Sequence, residues 1–406
     1  MKSQEAKSEW ARIFAMCVFT FPSLGLLLAL GCSASGQNGK REPDKELHNK
    51  SVCVKAADFS PDNKLLIVAL GPNGPQVLRG RLPQQRAMQL WDVESGKLLH
   101  TFWPDERAHR VFFFDGGKKI FASDYTSVRV FDGATRAMLA RYQWDAWPLG
   151  MMPDGKQLLA FTKHDMDYSL ELREAATGKV IRKFRTNTLP KLEPPFVSVS
   201  SDGKLALVPC GHGKKGIDED TTLQLWDLSK GEVKIAFDRK RNLIDPLCFS
   251  PDEKFALAQW VEEWSPVGKH KFSLVLLETA TGKVVRKFES PSNGTQLVAY
   301  SQEGKELVIL DVFLRPVETE SATFAQGAQL RRLQIKTGKE SWSVLIKTND
   351  ETLPVSVFSP DATRLFVGNG TTLSSLKGHD VDRLQMEIWD AVKGKKLHTL
   401  VRQQPK

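Results

Sequence analysis

At 406 residues the chain is long enough for one repeat-built domain or two ordinary ones, and 41% hydrophobic with 26% charged residues exclude a disordered polypeptide. The formal charge of +9 is spread over turn lysines such as Lys64, Lys97, Lys156, Lys204 and Lys283. A nucleic-acid surface needs a clustered basic stripe interleaved with aromatics, so nucleic acid is not expected as a partner.

The first element is an address. Lys2, Lys7 and Arg12 precede an apolar run from Ile13 to Leu30, which ends in Ala29-Leu30-Gly31-Cys32. A basic start, an apolar stretch and a small residue before cysteine form a signal-peptide layout over residues 1–31. Gly31-Cys32 resembles a bacterial lipobox, which implies lipidation of Cys32 after cleavage. The lipobox usually has Leu three residues before the cysteine, where this chain has Ala29 and carries Leu28 one place further out. An uncleaved single-pass anchor is the alternative, because about 17 to 25 apolar residues span a bilayer. Plain secretion after cleavage is a third reading, and all three export the main body of the chain or tie it to a membrane.

Residues 32–50 follow as a polar tether. From Ser33 to Lys50 they contain one Leu and no aromatic or β-branched residue, so they cannot form a core. Of the remaining cysteines, Cys53, Cys210 and Cys248 sit in or beside apolar stretches without C-x-x-C spacing and read as buried thiols.

From residue 51 a strand, a tight Asp/Gly turn and a second apolar strand recur. The copies are DFSPDNKLLIVAL (58–70), VFFFDGGKKIFAS (111–123), GMMPDGKQLLAFT (150–162), VSVSSDGKLALVP (197–209), LCFSPDEKFALAQ (247–259), VAYSQEGKELVIL (298–310) and VSVFSPDATRLFV (355–367). Each is followed by a third strand, a polar turn and a fourth strand, as in MQLWDVESGKLLHTF (88–102) and MEIWDAVKGKKLHTL (386–400). Alternating residues around Gly or Asp turns specify antiparallel hairpins. Seven sets of four strands specify an all-β, seven-bladed β-propeller. The approximate blades are 51–102, 108–142, 145–185, 194–238, 242–290, 294–346 and 353–401, and the ring is expected to close by packing the first blade against the last.

The chain resembles the WD40 repeat family over Ser51 to Val401. The third strand ends in Trp91-Asp92, Trp226-Asp227 and Trp389-Asp390, with Phe131-Asp132 as a near match. The family's Gly-His pair before the first strand of a repeat is missing from all seven, so the resemblance is to looser WD40-like propellers. The tryptophans read as wedges between blades.

Connections between second and third strands are long at 71–86, 211–221, 261–272, 312–328 and 368–384, and in a meander they emerge on one face together with the links between blades. That face is the expected binding surface, with Trp264 as an aromatic anchor and Arg79, Arg81 and His212 as polar contacts. His164, His212, His270 and His379 are placed in these loops, on blades too far apart to ligate one metal ion. Neither a metal nor a cofactor is expected. There is no G-x-S-x-G, H-E-x-x-H, Walker loop or dinucleotide fingerprint. The reading is a non-catalytic, membrane-tethered scaffold for another protein. Two alternatives remain open: a lactonase- or hydrolase-like propeller enzyme, and a carbohydrate- or peptidoglycan-binding module.

Overall fold

The computed structural model describes residues 52–72, 87–102, 108–124, 126–164, 167–186, 197–211, 221–237, 243–263, 271–290, 295–316, 323–347, 352–372 and 384–401. These form seven consecutive four-stranded antiparallel sheets, each built from four strands adjacent in sequence. No helix occurs among the described residues.

Blade 1 holds β1 (Val52–Phe59), β2 (Leu65–Pro72), β3 (Ala87–Asp92) and β4 (Leu98–Phe102). Blade 2 holds β5 (Arg110–Phe114), β6 (Lys119–Ser123), β7 (Ser127–Asp132) and β8 (Met138–Gln143). Blade 3 holds β9 (Ala146–Met151), β10 (Gln157–His164), β11 (Asp167–Glu174) and β12 (Val180–Thr186). In blade 4, β13 is reduced to Ser198–Val199 and is followed by β14 (Leu205–Gly211), β15 (Thr221–Asp227) and β16 (Glu232–Ala236). Blade 5 holds β17 (Leu243–Phe249), β18 (Phe255–Glu263), β19 (Lys271–Glu278) and β20 (Val284–Glu289). Blade 6 holds β21 (Thr295–Tyr300), β22 (Glu306–Pro316), β23 (Thr323–Gln334) and β24 (Glu340–Ile346). Blade 7 holds β25 (Thr352–Phe358), β26 (Arg364–Thr372), β27 (Met386–Asp390) and β28 (Lys395–Thr399).

The first strand of each blade lies at the hub and the fourth at the rim. β1 is almost wholly buried, whereas β8 alternates between exposed and partly exposed residues. A sheet with two apolar faces has to cover both, and a ring of blades does so by stacking each sheet on its neighbours. The core is accordingly divided into clusters between blades. Ile67, Leu90, Val111 and Phe131 pack between blades 1 and 2, and Leu207, Leu225, Ala258 and Val275 between blades 4 and 5. Val54, Leu66 and Trp91 meet Phe366, Met386 and Ile388 between blades 1 and 7. No strand crosses from one blade to another, so the ring closes by this packing alone.

Two connections differ from the sequence expectation. The stretch 312–328, expected as a loop, is mostly strand: β22 and β23 pair as far as Pro316 opposite Thr323, around a bulge at Phe313/Leu314. Second strands elsewhere span 5 to 9 residues and β22 spans 11, which carries this hairpin about 7 Å further out. His164, expected in a loop, is the last residue of β10 and pairs with Asp167 at the start of β11. The pleat continues into the described parts of both segments although their sequences lack clean alternation.

Candidate functional site

Antiparallel order sends the two kinds of connection to opposite faces. Turns from first to second and third to fourth strands share one face, and these are short in every blade. Second-to-third connections and inter-blade links share the other.

The short-turn face is closed on itself. In the first turn of blade 1, Ser60 Oγ donates to Asp62 Oδ1 (2.6 Å), and the Leu65 amide donates to Ser60 Oγ (2.9 Å). Asn63 takes a φ of 60°, as this turn requires. The same serine–aspartate pairing recurs at Ser200/Asp202, Ser250/Asp252 and Ser359/Asp361. The hydrogen bond from Ser60 holds the Asp62 carboxyl below its usual 3.8.

The second turn uses the aspartate of the Trp-Asp pair. Asp92 accepts from the Ser95 amide (2.8 Å), Asp227 from the Lys230 amide (3.0 Å) and Asp390 from the Lys393 amide (2.8 Å). The following residue then ties the two turns together. Val93, Gly133, Ala175, Leu228, Thr279, Ile335 and Ala391 each donate an amide to the carbonyl just before their blade's second strand. These carboxylates serve the turns that hold them.

The tryptophans of those pairs face the preceding blade. Trp91, Trp226 and Trp389 are buried in the clusters between blades 7 and 1, 3 and 4, and 6 and 7. Trp226 Nε1 donates to Gln224 (3.1 Å) and Trp389 Nε1 to Glu387 (2.9 Å), each two residues back on the same strand.

That position, two before the tryptophan, begins a belt of buried polar groups beneath the long-loop face. Gln89, Arg129, Glu171, Gln224, Arg331 and Glu387 occupy it in six blades, and all are buried. In blade 3, Glu171 accepts from Thr162 (3.0 Å), Ser169 (3.2 Å) and Arg173 Nε (2.7 Å), while Arg173 also reaches Asp145 (2.9 Å). In blade 6, Arg331 donates to Asp311 and to the Glu289 carbonyl of blade 5. A buried charge is stable only when paired and hydrogen-bonded, as Glu171, Arg173, Asp311 and Arg331 are. The oxygens of Glu171 and Asp311 are occupied by neighbours, which makes these two groups struts under the face.

Asp58 on β1 differs. Its carboxylate accepts from the Phe113 amide of blade 2 (2.7 Å), and burial pushes its pKa up to about 7 against the hydrogen bonds from Phe113 and Phe59. Cys248 stands at the matching position of blade 5, its thiol pushed up to about 12 by burial. Neither was singled out as a site from sequence, since an isolated Asp before a Phe-Ser turn reads as solvated.

Trp264, Arg79, Arg81 and His212 lie outside the described residues, as does Cys32. The described strand ends that flank 73–86, 212–220 and 264–270 all point to the long-loop face. Among the described residues no group of three or more His, Cys, Asp or Glu is placed to hold a metal ion, and no helix is long and apolar enough to cross a membrane.

No protein-family model and no curated protein matches the chain. Solved structures do. A chain of Kuenenia stuttgartiensis hydrazine synthase superposes with a TM-score of 0.55 at 15% identity, covering 86% of this chain and 98% of that one. At this identity the likeness shows the propeller fold and nothing of its chemistry.

Proposed function

We propose that the chain is an exported, membrane-tethered, WD40-like scaffold that binds another protein on its long-loop face and does no chemistry of its own. One observation carries this reading: the two short turns of every blade, tied by the same backbone bond in all seven, form one face, and the long connections all fall on the other. Rigid frames with variable loops on one side are the usual plan of binding domains. In this reading Trp264 is the aromatic anchor, Arg79, Arg81 and His212 are polar contacts, and Cys32 carries the lipid.

Co-purification from detergent-solubilised membranes tests the reading. The intact chain should bring down a stoichiometric protein. Replacing 264–270 and 212–220 by two-residue turns should lower its recovery about tenfold, the loss expected for a hot spot, while charge changes in the short turns leave recovery unchanged. Repeated recovery of the chain alone, or turnover of a lactone or glycoside panel, would overturn it. Intact mass tests the tether separately, with a start at Cys32 bearing acyl chains as the expected result.

A further inference from the structure

We infer that the rim wall centred on blades 1 and 2, flanked by blades 7 and 3, docks against an anionic lipid bilayer. This rests on the membrane-tethered reading above.

Each fourth strand is an open edge, and its outward row begins at the same register after the turn. That register holds Leu397, Leu99, Leu139 and Ile181 on blades 7, 1, 2 and 3, with 38%, 48%, 52% and 51% of the residue exposed. Single exposed aliphatics are ordinary; recurrence at one register on four consecutive blades is not. Charge marks the same arc. β28, β4, β8 and β12 contain no Asp or Glu, whereas β16, β20 and β24 carry Glu232, Glu289 and Glu340. Exposed Lys97, Arg141, Lys179 and Lys395 border the aliphatic row. Blade 5 has an aliphatic at the register, Val285, but its strand ends in Glu289, and blades 4 and 6 place Lys234 and Ser341 there.

Aliphatic tips on strands that carry no acids, with Glu94 in the adjoining turn, Asp145 in the adjoining link and Glu174 at the end of β11, fit an interface in which lysine and arginine meet anionic headgroups and the tips reach the acyl boundary. The chain's own layout brings the two together. Residues 31–51 join the apolar run Ile13–Leu30 to Val52 on blade 1, a span of at most about 70 Å when extended, and blade 1 lies inside the arc. A convex wall meets a flat bilayer along one or two blades at a time, hence the centre on blades 1 and 2.

Hydrogen exchange of the full chain, with vesicles of phosphatidylglycerol and phosphatidylcholine or of phosphatidylcholine alone, tests this. Amides of β4 and β8, and to a lesser extent β28 and β12, should exchange about tenfold more slowly on the anionic vesicles, and about 0.5 M salt should erase the difference. The triple variant Leu99→Glu, Leu139→Glu, Ile181→Glu should lose the protection while keeping the wild-type unfolding midpoint, since the three side chains are exposed. Flotation with both vesicle types without selective slowing of these strands overturns the docking wall and leaves the tether standing. Flotation with anionic vesicles alone, abolished in the triple variant, supports the wall and overturns the tether. Protection that grows with protein concentration in the absence of lipid identifies a second copy as the occupant, and protection seen only in native membranes identifies a partner protein; either result overturns the proposal.

Discussion

Asp58 is the residue whose chemistry departs most from its surroundings. Its carboxyl joins the hub strands of blades 1 and 2 and titrates near 7, above the 3.8 of an unfolded aspartate. The fold therefore prefers its protonated form. The resulting stabilisation is complete below about pH 4 and is lost as pH climbs through about 7, up to about 4 kcal/mol over three units. Asp58→Asn, which keeps an acceptor for Phe113, should flatten the loss of thermal stability between pH 5 and 8. A wild-type-like slope in differential scanning calorimetry would assign the pH dependence elsewhere. Gly231 marks a second kind of constraint. Its φ is 80°, and an added Cβ would lie 2.7 Å from the Arg182 guanidinium and 3.2 Å from the Phe184 ring. Gly231→Ala should cost about 1–3 kcal/mol in denaturant unfolding, more than the same change at Gly116, where a Cβ meets nothing.

The rim strands act as latches between blades. His398 of β28 bonds the Glu94 carbonyl in the last turn of blade 1 (2.8 Å), Tyr142 of β8 bonds the Ala175 carbonyl of blade 3 (3.0 Å), and Arg182 of β12 caps the Leu228, Ser229 and Lys230 carbonyls of blade 4. Arg182→Ala removes three such bonds and should cost about 1–3 kcal/mol in denaturant melts. Arg182→Lys should restore only part, because one ammonium cannot replace a planar fork. Seven copies of the strand-turn-strand unit were legible because Asp, Gly and Lys recur at fixed offsets in turns that need them. The hairpin of blade 6 was not, since Pro316 and Gly327 interrupt the alternation that marks a strand. The polar belt stayed hidden for another reason. Gln89, Glu171 and Arg331 sit on faces that period-two patterning assigns to core, and only packing shows that the partners of Glu171 and Arg331 come from adjacent strands and blades. The loop residues picked from sequence, Trp264 foremost, rest on loop position alone.

At the scale of the molecule, each blade is complete in itself and each interface has its own cluster, so the gap from Val401 to Val52 is one more link from a rim strand to a hub strand. Blades 2 and 3 make that passage with two residues between Gln143 and Ala146. Joining 401 to 52 through about six residues and opening the chain within 187–196 should therefore give the same far-ultraviolet spectrum and a midpoint within a few degrees. Opening between β3 and β4 should lower the midpoint clearly, since it cuts a hairpin. The place where the chain enters also decides how the disc bears a load. β1 runs from the long-loop face toward the short turns at the hub, paired along its length with β2 from Val52 opposite Pro72 to Phe59 opposite Leu66. A force applied at Val52 along the propeller axis acts along that strand and strains its hydrogen bonds to β2 together in shear, so the disc would bear such a load at its axle and not at its rim.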